Sequence, residues 1–237
     1  NCMVHCFDKN SGKMLWSASA SGISGEPSEL PKMDADGGLA VSSAATNGKA
    51  VCAIFANGNL ICLDLNGNKK WATNLGTPNN SYGYSCSLII YKDILVVQYD
   101  SDKKLSLMGF DIANGTQKWE TLRTGHPVWS SPVIASFDGK SQVIVTGNPA
   151  VMSFDPEAGS ILWSIDCMSS DVAPSAAVNS FMAYTVTNYA DLVAIEPGNS
   201  PTIKWKDNSY TPDISSPVAT DEYLFIVTDY GDAACYD

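Results

Sequence analysis

The chain has 237 residues, of which 45% are hydrophobic and 16% charged, with a formal net charge of −11. That hydrophobic content supports a packed core and excludes a disordered chain. The acidic balance argues against a nucleic-acid partner, because phosphates demand a basic surface, and no apolar run reaches the ~18 residues of a membrane span.

The chain opens NCMVHCFD, already in strand-like alternation and without an initiator Met. It therefore reads as cut at this end, with any localisation signal lying upstream. In a strand, Cys2 and Cys6 face one side and His5 the other, so this stretch is not expected to ligate a metal. The seven cysteines include no CxxC and no adjacent pair. Most sit in apolar strand patterns, where a free thiol acts as a small hydrophobe, and no compartment follows from them.

Along the chain one phrase recurs: FDKNSGKMLW at 7–16, LDLNGNKKW at 63–71, FDIANGTQKW at 110–119, FDPEAGSILW at 154–163 and IEPGNSPTIKW at 195–205. Its acidic residues, Asp8, Asp64, Asp111, Asp155, Glu196 and finally Asp237, form one landmark. A small residue opening an apolar run forms a second: Ser43, Cys86, Ser131, Ser175 and Ser216. Both repeat with a period of roughly 43 residues.

Each repeat reads as four short strands. The first follows the small landmark, as in SPVIAS and SPVAT. The second is rich in β-branched and aromatic residues, as in KAVCAIF, DILVVQY, SQVIVTG, FMAYTV and YLFIVTD. The third ends in the acid and the fourth carries the Trp. Gly, Asn and Asp turns link the second and third, and no segment sustains a helical period. The expected fold is all-β: a β-propeller of four-stranded antiparallel blades, about five of them here, forming a single domain over residues 1–237.

Within the phrase, acid and glycine bracket a tight turn. Asp8, Asp64, Asp111 and Asp155 are expected to accept turn amides, while Gly12, Gly67, Gly115, Gly159 and Gly198 supply positive φ. Trp16, Trp71, Trp119, Trp163 and Trp205 are placed to pack against the next blade with the indole N–H on a backbone carbonyl. Two residues before the acid stand Cys6, Cys62, Gly109, Ser153, Ala194 and Cys235. All are small, as an overlying indole requires.

The pattern small-x-Asp-x-x-x-Gly-x-x-x-Trp resembles the tryptophan-docking motif of the pyrroloquinoline quinone (PQQ)-type propeller repeats. The resemblance runs over essentially the whole chain in five copies. Residues 129–175 look most similar to uncharacterised exported bacterial PQQ-like proteins. The resemblance implies seven or eight blades, so the chain is expected to be an arc of a larger propeller. It also implies the bacterial envelope, periplasmic or extracellular, and a non-catalytic binding or scaffolding role. Loops and an axial funnel would meet a protein or glycan partner, and an upstream lipid anchor would add peripheral membrane association. One alternative is a PQQ- and Ca²⁺-dependent alcohol or sugar dehydrogenase. Another is a purely structural repeat array within a larger protein. The dehydrogenases' adjacent cysteine pair and CxxCH haem motif are missing from this sequence, so no catalytic residue, cofactor or metal is assigned.

A funnel would be lined by residues just before the small landmark: Tyr82, Tyr84, His126, Trp129, Asp171 and Asp213. Aromatic platforms suit sugars, quinones or a peptide. Residues 17–41, rich in Ser, Pro and Gly, read as the one long inter-blade loop. Its MDADGG stretch (33–38) has Gly38 and Leu39 where an EF-hand needs an acid and a glycine, so no metal site is expected there.

Overall fold

The computed structural model describes residues 2–34 and 37–237; Ala35 and Asp36, within MDADGG, lie outside the described residues. The described chain is all-β, with 21 strands in six sheets. It divides into two compact units, Asn1–Lys103 with Leu107–Glu120, and Lys104–Ser106 with Thr121–Asp237.

The first unit starts with a two-stranded sheet, β1 (Met3–Phe7) and β2 (Met14–Ser19). A four-stranded sheet follows in simple order: β3 (Ala45–Thr46), β4 (Ala50–Ile54), β5 (Asn59–Asp64) and β6 (Lys69–Asn74). The next sheet comprises β7 (Ile89–Tyr91), β8 (Ile94–Ser101), β9 (Lys104–Asp111) and β10 (Gln117–Arg123), and its residues fall on both sides of the division. The second unit holds β11 (Val133–Phe137) to β14 (Ile161–Asp166) through β12 (Lys140–Thr146) and β13 (Ala150–Phe154). It continues with β15 (Ala177–Val178), β16 (Ala183–Thr185), β17 (Leu192–Glu196) and β18 (Thr202–Asp207). A three-stranded sheet closes it: β19 (Val218–Ala219), β20 (Leu224–Val227) and β21 (Ala233–Tyr236). The second strands fall where the β-branched runs predict them. The first strands are shorter than expected. In SSPV the proline cannot donate to a ladder, so β11 begins only after Pro132 and β19 only after Pro217.

The core lies between consecutive sheets, and the two-residue period of a strand distributes it. In β4 and β5, Cys52, Ile54, Leu60 and Cys62 face the sheet after their own, while Ala53, Ile61 and Leu63 face the one before. β17 does the same: Val193 and Ile195 join one cluster, Leu192 and Ala194 the next. A sheet buried on both faces reads as a near-continuous apolar run, which is why these strands lack polar alternation.

The repeated phrase builds one turn repeatedly. Asp8 Oδ1 accepts the N–H groups of Asn10 (3.1 Å) and Ser11 (2.7 Å). Asp64 Oδ1 accepts those of Asn66 (2.9 Å) and Asn68 (2.8 Å). Asp111 Oδ1 accepts Ala113 N–H, and Asp155 Oδ1 accepts Glu157 and Ala158 N–H, all at 2.8 Å. Hydrogen bonds from Ser11, Asn68 and Lys118 respectively hold the Asp8, Asp64 and Asp111 carboxyls below the usual carboxylate range.

The turn glycine has a second duty. Trp16 donates its indole N–H to Leu65 O (2.9 Å), and Trp71 donates to Ile112 O (3.0 Å), each reaching the turn of the following sheet. The indoles then lie on Gly67 and Gly115: a Cβ there would sit 2.7 Å from Trp16 Cδ2 and 2.6 Å from Trp71 Cδ2. Inside each sheet the small residue before the acid faces its own tryptophan, as in Cys6 with Trp16, Cys62 with Trp71 and Ala194 with Trp205. Gly109 is the tightest case, where a Cβ would come within 2.2 Å of Trp119 Cε2.

Three sheets depart from this scheme, and the expected indole-to-carbonyl bond is missing in each. Trp119 Nε1 is buried without a hydrogen-bond partner among the described residues. Trp163 donates to Gln142 Oε1 in its own sheet (2.9 Å), an acceptor it shares with Ser153 Oγ (2.6 Å). The following phrase is one residue longer, and its Glu196 holds Thr202 and Lys204 side chains. Trp205 stacks on Tyr236 with ring centroids 5.7 Å apart and an interplanar angle of 14°.

A second thread links neighbouring sheets at their first strands. Ser43 N–H donates to Ser87 Oγ (3.2 Å), Ser131 N–H to Ser175 Oγ (2.9 Å) and Ser175 N–H to Ser216 Oγ (2.9 Å). The position equivalent to the other landmarks is thus Ser87, one residue beyond Cys86. The long loop is pinned as well. Glu26 accepts Gly22 N–H and Asn57 Nδ2, and Asn59 Nδ2 donates to Ala20 O (2.7 Å).

These contacts set two expectations. Gly12 has φ +68 and nothing within 4 Å of an added Cβ, so Gly12→Ala should cost only the left-handed penalty, about 1 kcal/mol. Gly115→Ala must also displace Trp71 and should cost clearly more, about 3 kcal/mol; urea unfolding of the two variants compares them. Carboxyls depressed in the folded state contribute stability above their unfolded pKa of about 3.9, lost as pH falls through the folded value. The urea midpoint should therefore drop below about pH 4, and NMR titration of Asp64 should show a midpoint under that of a free aspartate.

Candidate functional site

The segments entering each first strand are fixed by backbone bonds. In the second unit, Trp129 N–H (2.8 Å) and Ser130 N–H (3.2 Å) both donate to Val172 O, and His126 N–H donates to Asn148 O (2.9 Å). Thr187 Oγ1 donates to Asp171 O, and Asp213 N–H donates to Asp229 Oδ2. Each of the segments 126–130, 170–172 and 211–214 is thereby tied to the second-to-third-strand turn of its own sheet. Both sets of loops share one end of the sheets.

That end gathers His126, Asp171 and Asp213 with their side chains exposed, and Trp129 half-buried. The two first-unit candidates lie elsewhere in character. Tyr84 is buried, donates its hydroxyl to Gly76 O (3.0 Å) and meets Tyr99 edge-on at 5.7 Å. Burial pushes its phenol well above the ordinary value. It is a core residue and lines no funnel, because its ring fills the space between strands that a loop residue would leave open. Tyr82 is half-buried, and Met33 of the long loop covers its neighbour: a Cβ on Gly83 would lie 2.9 Å from Met33 Cε.

Sequence reasoning missed the most exposed large hydrophobic side chains at this end. Tyr189 and Tyr230 occupy the same place in successive turns, TNYAD (187–191) and TDYGD (228–232), at 85% and 78% exposure. Tyr189 holds φ +60, an uncommon conformation for a bulky residue. Ile214 adds an exposed aliphatic group. Around them stand Asp171, Asp191, Asp213, Asp229 and Asp232. A cleft of about 390 Å³ beside Tyr189 is lined by Asp166, Cys167, Ser169, Asp191 and Lys206, with Lys206 paired to Asp191 at 3.0 Å. The signal was present: T-[ND]-Y-[AG]-D occurs twice, one period apart, outside the Trp phrase.

Chemically this end offers carboxylates, carbonyls and aromatic faces. Such a surface accepts hydrogen bonds and holds cationic or apolar groups. Among the described residues, no group of three or more His, Cys, Asp or Glu is arranged to hold a metal ion. No described helix is long and apolar enough to cross a membrane.

The family model described as outer membrane protein assembly factor BamB matches residues 2–237. A search of curated proteins returned no match. Among solved structures, BamB from Moraxella catarrhalis superposes with a TM-score of 0.68 at 14% identity, over 98% of this chain and 66% of that one. A chain of a mitotic checkpoint complex gives 0.66 at 13% identity, over 99% of this chain and 69% of that one. Quinohemoprotein alcohol dehydrogenase from Comamonas testosteroni gives 0.56 at 14% identity, over 99% of this chain and 40% of that one. At these identities the likeness is one of fold.

The hydrogen bond from Thr187 to Asp171 O steadies the strip that also receives Trp129 and Ser130. Thr187→Val should loosen it by about 1 kcal/mol, which hydrogen exchange would read as several-fold faster exchange at the Trp129 and Ser130 amides. Tyr189→Ala and Tyr230→Ala should leave the unfolding free energy from urea titration within about 0.5 kcal/mol of the parent, as exposed positions do.

Proposed function

Because the chain belongs to the PQQ_2 family, described as outer membrane protein assembly factor BamB, we propose that it is a non-catalytic scaffold of the bacterial envelope whose sheet-end turns hold a protein partner. The observation that carries this reading is the repeated display of Tyr189 and Tyr230 on backbone-pinned turns among carboxylates. Rigid aromatic side chains give large contact area at small entropic cost. The surrounding acids select a partner segment bearing Lys or Arg beside aliphatic groups. The aromatic faces alone would also serve a glycan, but a row of carboxylates favours a basic polypeptide over a neutral sugar. The Trp residues of the phrase, on this reading, dock one sheet on the next and leave the turns free to vary.

The fold is shared with a quinoprotein dehydrogenase, so the fit of PQQ bears on the proposal. PQQ carries three carboxylates. The segments His126–Ser131, Ser170–Ser175 and Thr211–Ser216 contain no Lys or Arg and present Asp171 and Asp213. This donor set does not fit a tricarboxylate quinone, and no reaction step is assigned to it.

A photo-crosslinking residue placed at Tyr189 or Tyr230 of the full protein in cells should form a discrete protein adduct. Asp138, in the β11–β12 turn at the opposite end of its sheet, should form none. Equal labelling at both ends, or none at either tyrosine, would overturn the proposal. Titration with PQQ and Ca²⁺ should leave tryptophan fluorescence unchanged; saturable, Ca²⁺-dependent quenching at micromolar PQQ would instead support the dehydrogenase alternative.

A further inference from the structure

We infer that Cys52 and Cys62 form a cross-strand disulfide, closed while the protein folds. The two residues stand directly opposite each other on β4 and β5, with side chains on the same face and no solvent exposure. The hydrogen-bond ladder fixes which kind of pair they are. Phe55 N–H bonds Asn59 O at the hairpin end (3.0 Å). Counting back in twos, Ala53–Ile61 and Val51–Leu63 are the hydrogen-bonded pairs, so Cys52–Cys62 is a non-hydrogen-bonded pair. At such positions the Cα atoms approach to about 4.5 Å, within the span of about 4.4–6.8 Å that a disulfide takes.

The sheets that follow show that this pairing is unusual within the chain itself. Cys62 belongs to the small column that faces a tryptophan, and this alone would account for it. Size does not account for Cys52. The residue opposite the small position is Ile144 in the sheet of Ser153, Tyr184 in the sheet of Ala194, and Phe225 in the sheet of Cys235. A large side chain there is the ordinary solution, and a cysteine opposite a cysteine is the exception.

Both are free thiols in the structure, and Cys62 Sγ lies 3.7 Å from Ile112 O, the carbonyl that also receives Trp71 N–H. Neither residue is exposed in the folded sheet, so an external oxidant cannot reach the pair once the sheet is covered. Closure therefore belongs to a stage before the sheet is covered. A disulfide oxidant RSSR supplies the oxidising equivalents. One cysteine thiolate attacks it and releases RS⁻. The second thiolate attacks the resulting mixed disulfide and releases another RS⁻, which together with the first takes up the two protons. The pair of thiols is oxidised to S–S, and RSSR is reduced to two RSH. The product loses the Cys62 donor, leaving Ile112 O to Trp71. Only the presence of such an oxidant in the cell rests on the envelope reading; the geometry does not.

The test uses the full chain, reduced and unfolded, then refolded either in oxidised and reduced glutathione or in dithiothreitol. Remaining thiols are alkylated before tryptic digestion. Cleavage after Lys49 and Lys69 yields a peptide, residues 50–69, containing Cys52 and Cys62 and no other cysteine. The glutathione sample should give this peptide unalkylated and lighter than its free dithiol form by two hydrogens. Glutathione added to the folded oxidised protein should reduce it at least tenfold more slowly than in urea. Recovery of the peptide doubly alkylated after oxidative refolding, or linkage of either residue to a different cysteine, would overturn the inference. A positive refolding result for a chain found in the cytosol would count against the envelope reading alone.

Discussion

The contact on which the first unit depends is an indole set on the turn of the next sheet. Trp16 and Trp71 each provide a flat apolar face and a single N–H donor, and each receiving turn supplies a free carbonyl and a glycine. The glycine has no alternative, because positive φ and an overlying ring are required of one residue. The aspartate makes the receiving turn reproducible by satisfying its amides internally, so the carbonyl is left pointing outward. Remove the carboxylate, the glycine or the indole, and the other two lose their purpose.

Because this contact and the two-faced strands carry the packing, the sheet-end turns carry little of it. Tyr189 and Tyr230 extend into solvent from turns whose own backbone bonds are local, such as Ala190 N–H to Thr187 O and Gly231 N–H to Thr228 O. A surface like this can change its side chains without disturbing the sheets beneath. That separation makes it the natural place for a partner-specific surface on a common fold.

The features readable in the sequence are those set by local chemistry. The acid-to-glycine turn follows from Asp and Gly alone, and the second strands from their β-branched runs. What escaped was decided across space. Tyr84 stands among polar loop residues, and only the strands folding around it, together with Gly76 O, show it to be core. The Ser landmark was misplaced at Cys86 because two small residues adjoin, and only the bond from Ser43 identifies Ser87. Gln142 gave no hint of being the acceptor for Trp163, since that role appears when a neighbouring turn lengthens. The tyrosine pair could have been found by aligning second-to-third-strand turns, but the louder Trp phrase drew attention to the other end of the strand.

The indole and its receiving turn belong to different repeats, yet each repeat contains one of both. A segment one period long therefore has a donor end and an acceptor end, wherever its boundaries are drawn. Copying such a segment in tandem regenerates an intact junction at either border, with no adjustment to the flanking sequence. Gene duplication could thus lengthen or shorten an array of this kind stepwise while every intermediate still folded. The departures at Trp119, Trp163 and Trp205, of which Trp163 uses its own sheet's Gln142, mark junctions that have drifted from the common part and would no longer be interchangeable with those of Trp16 and Trp71.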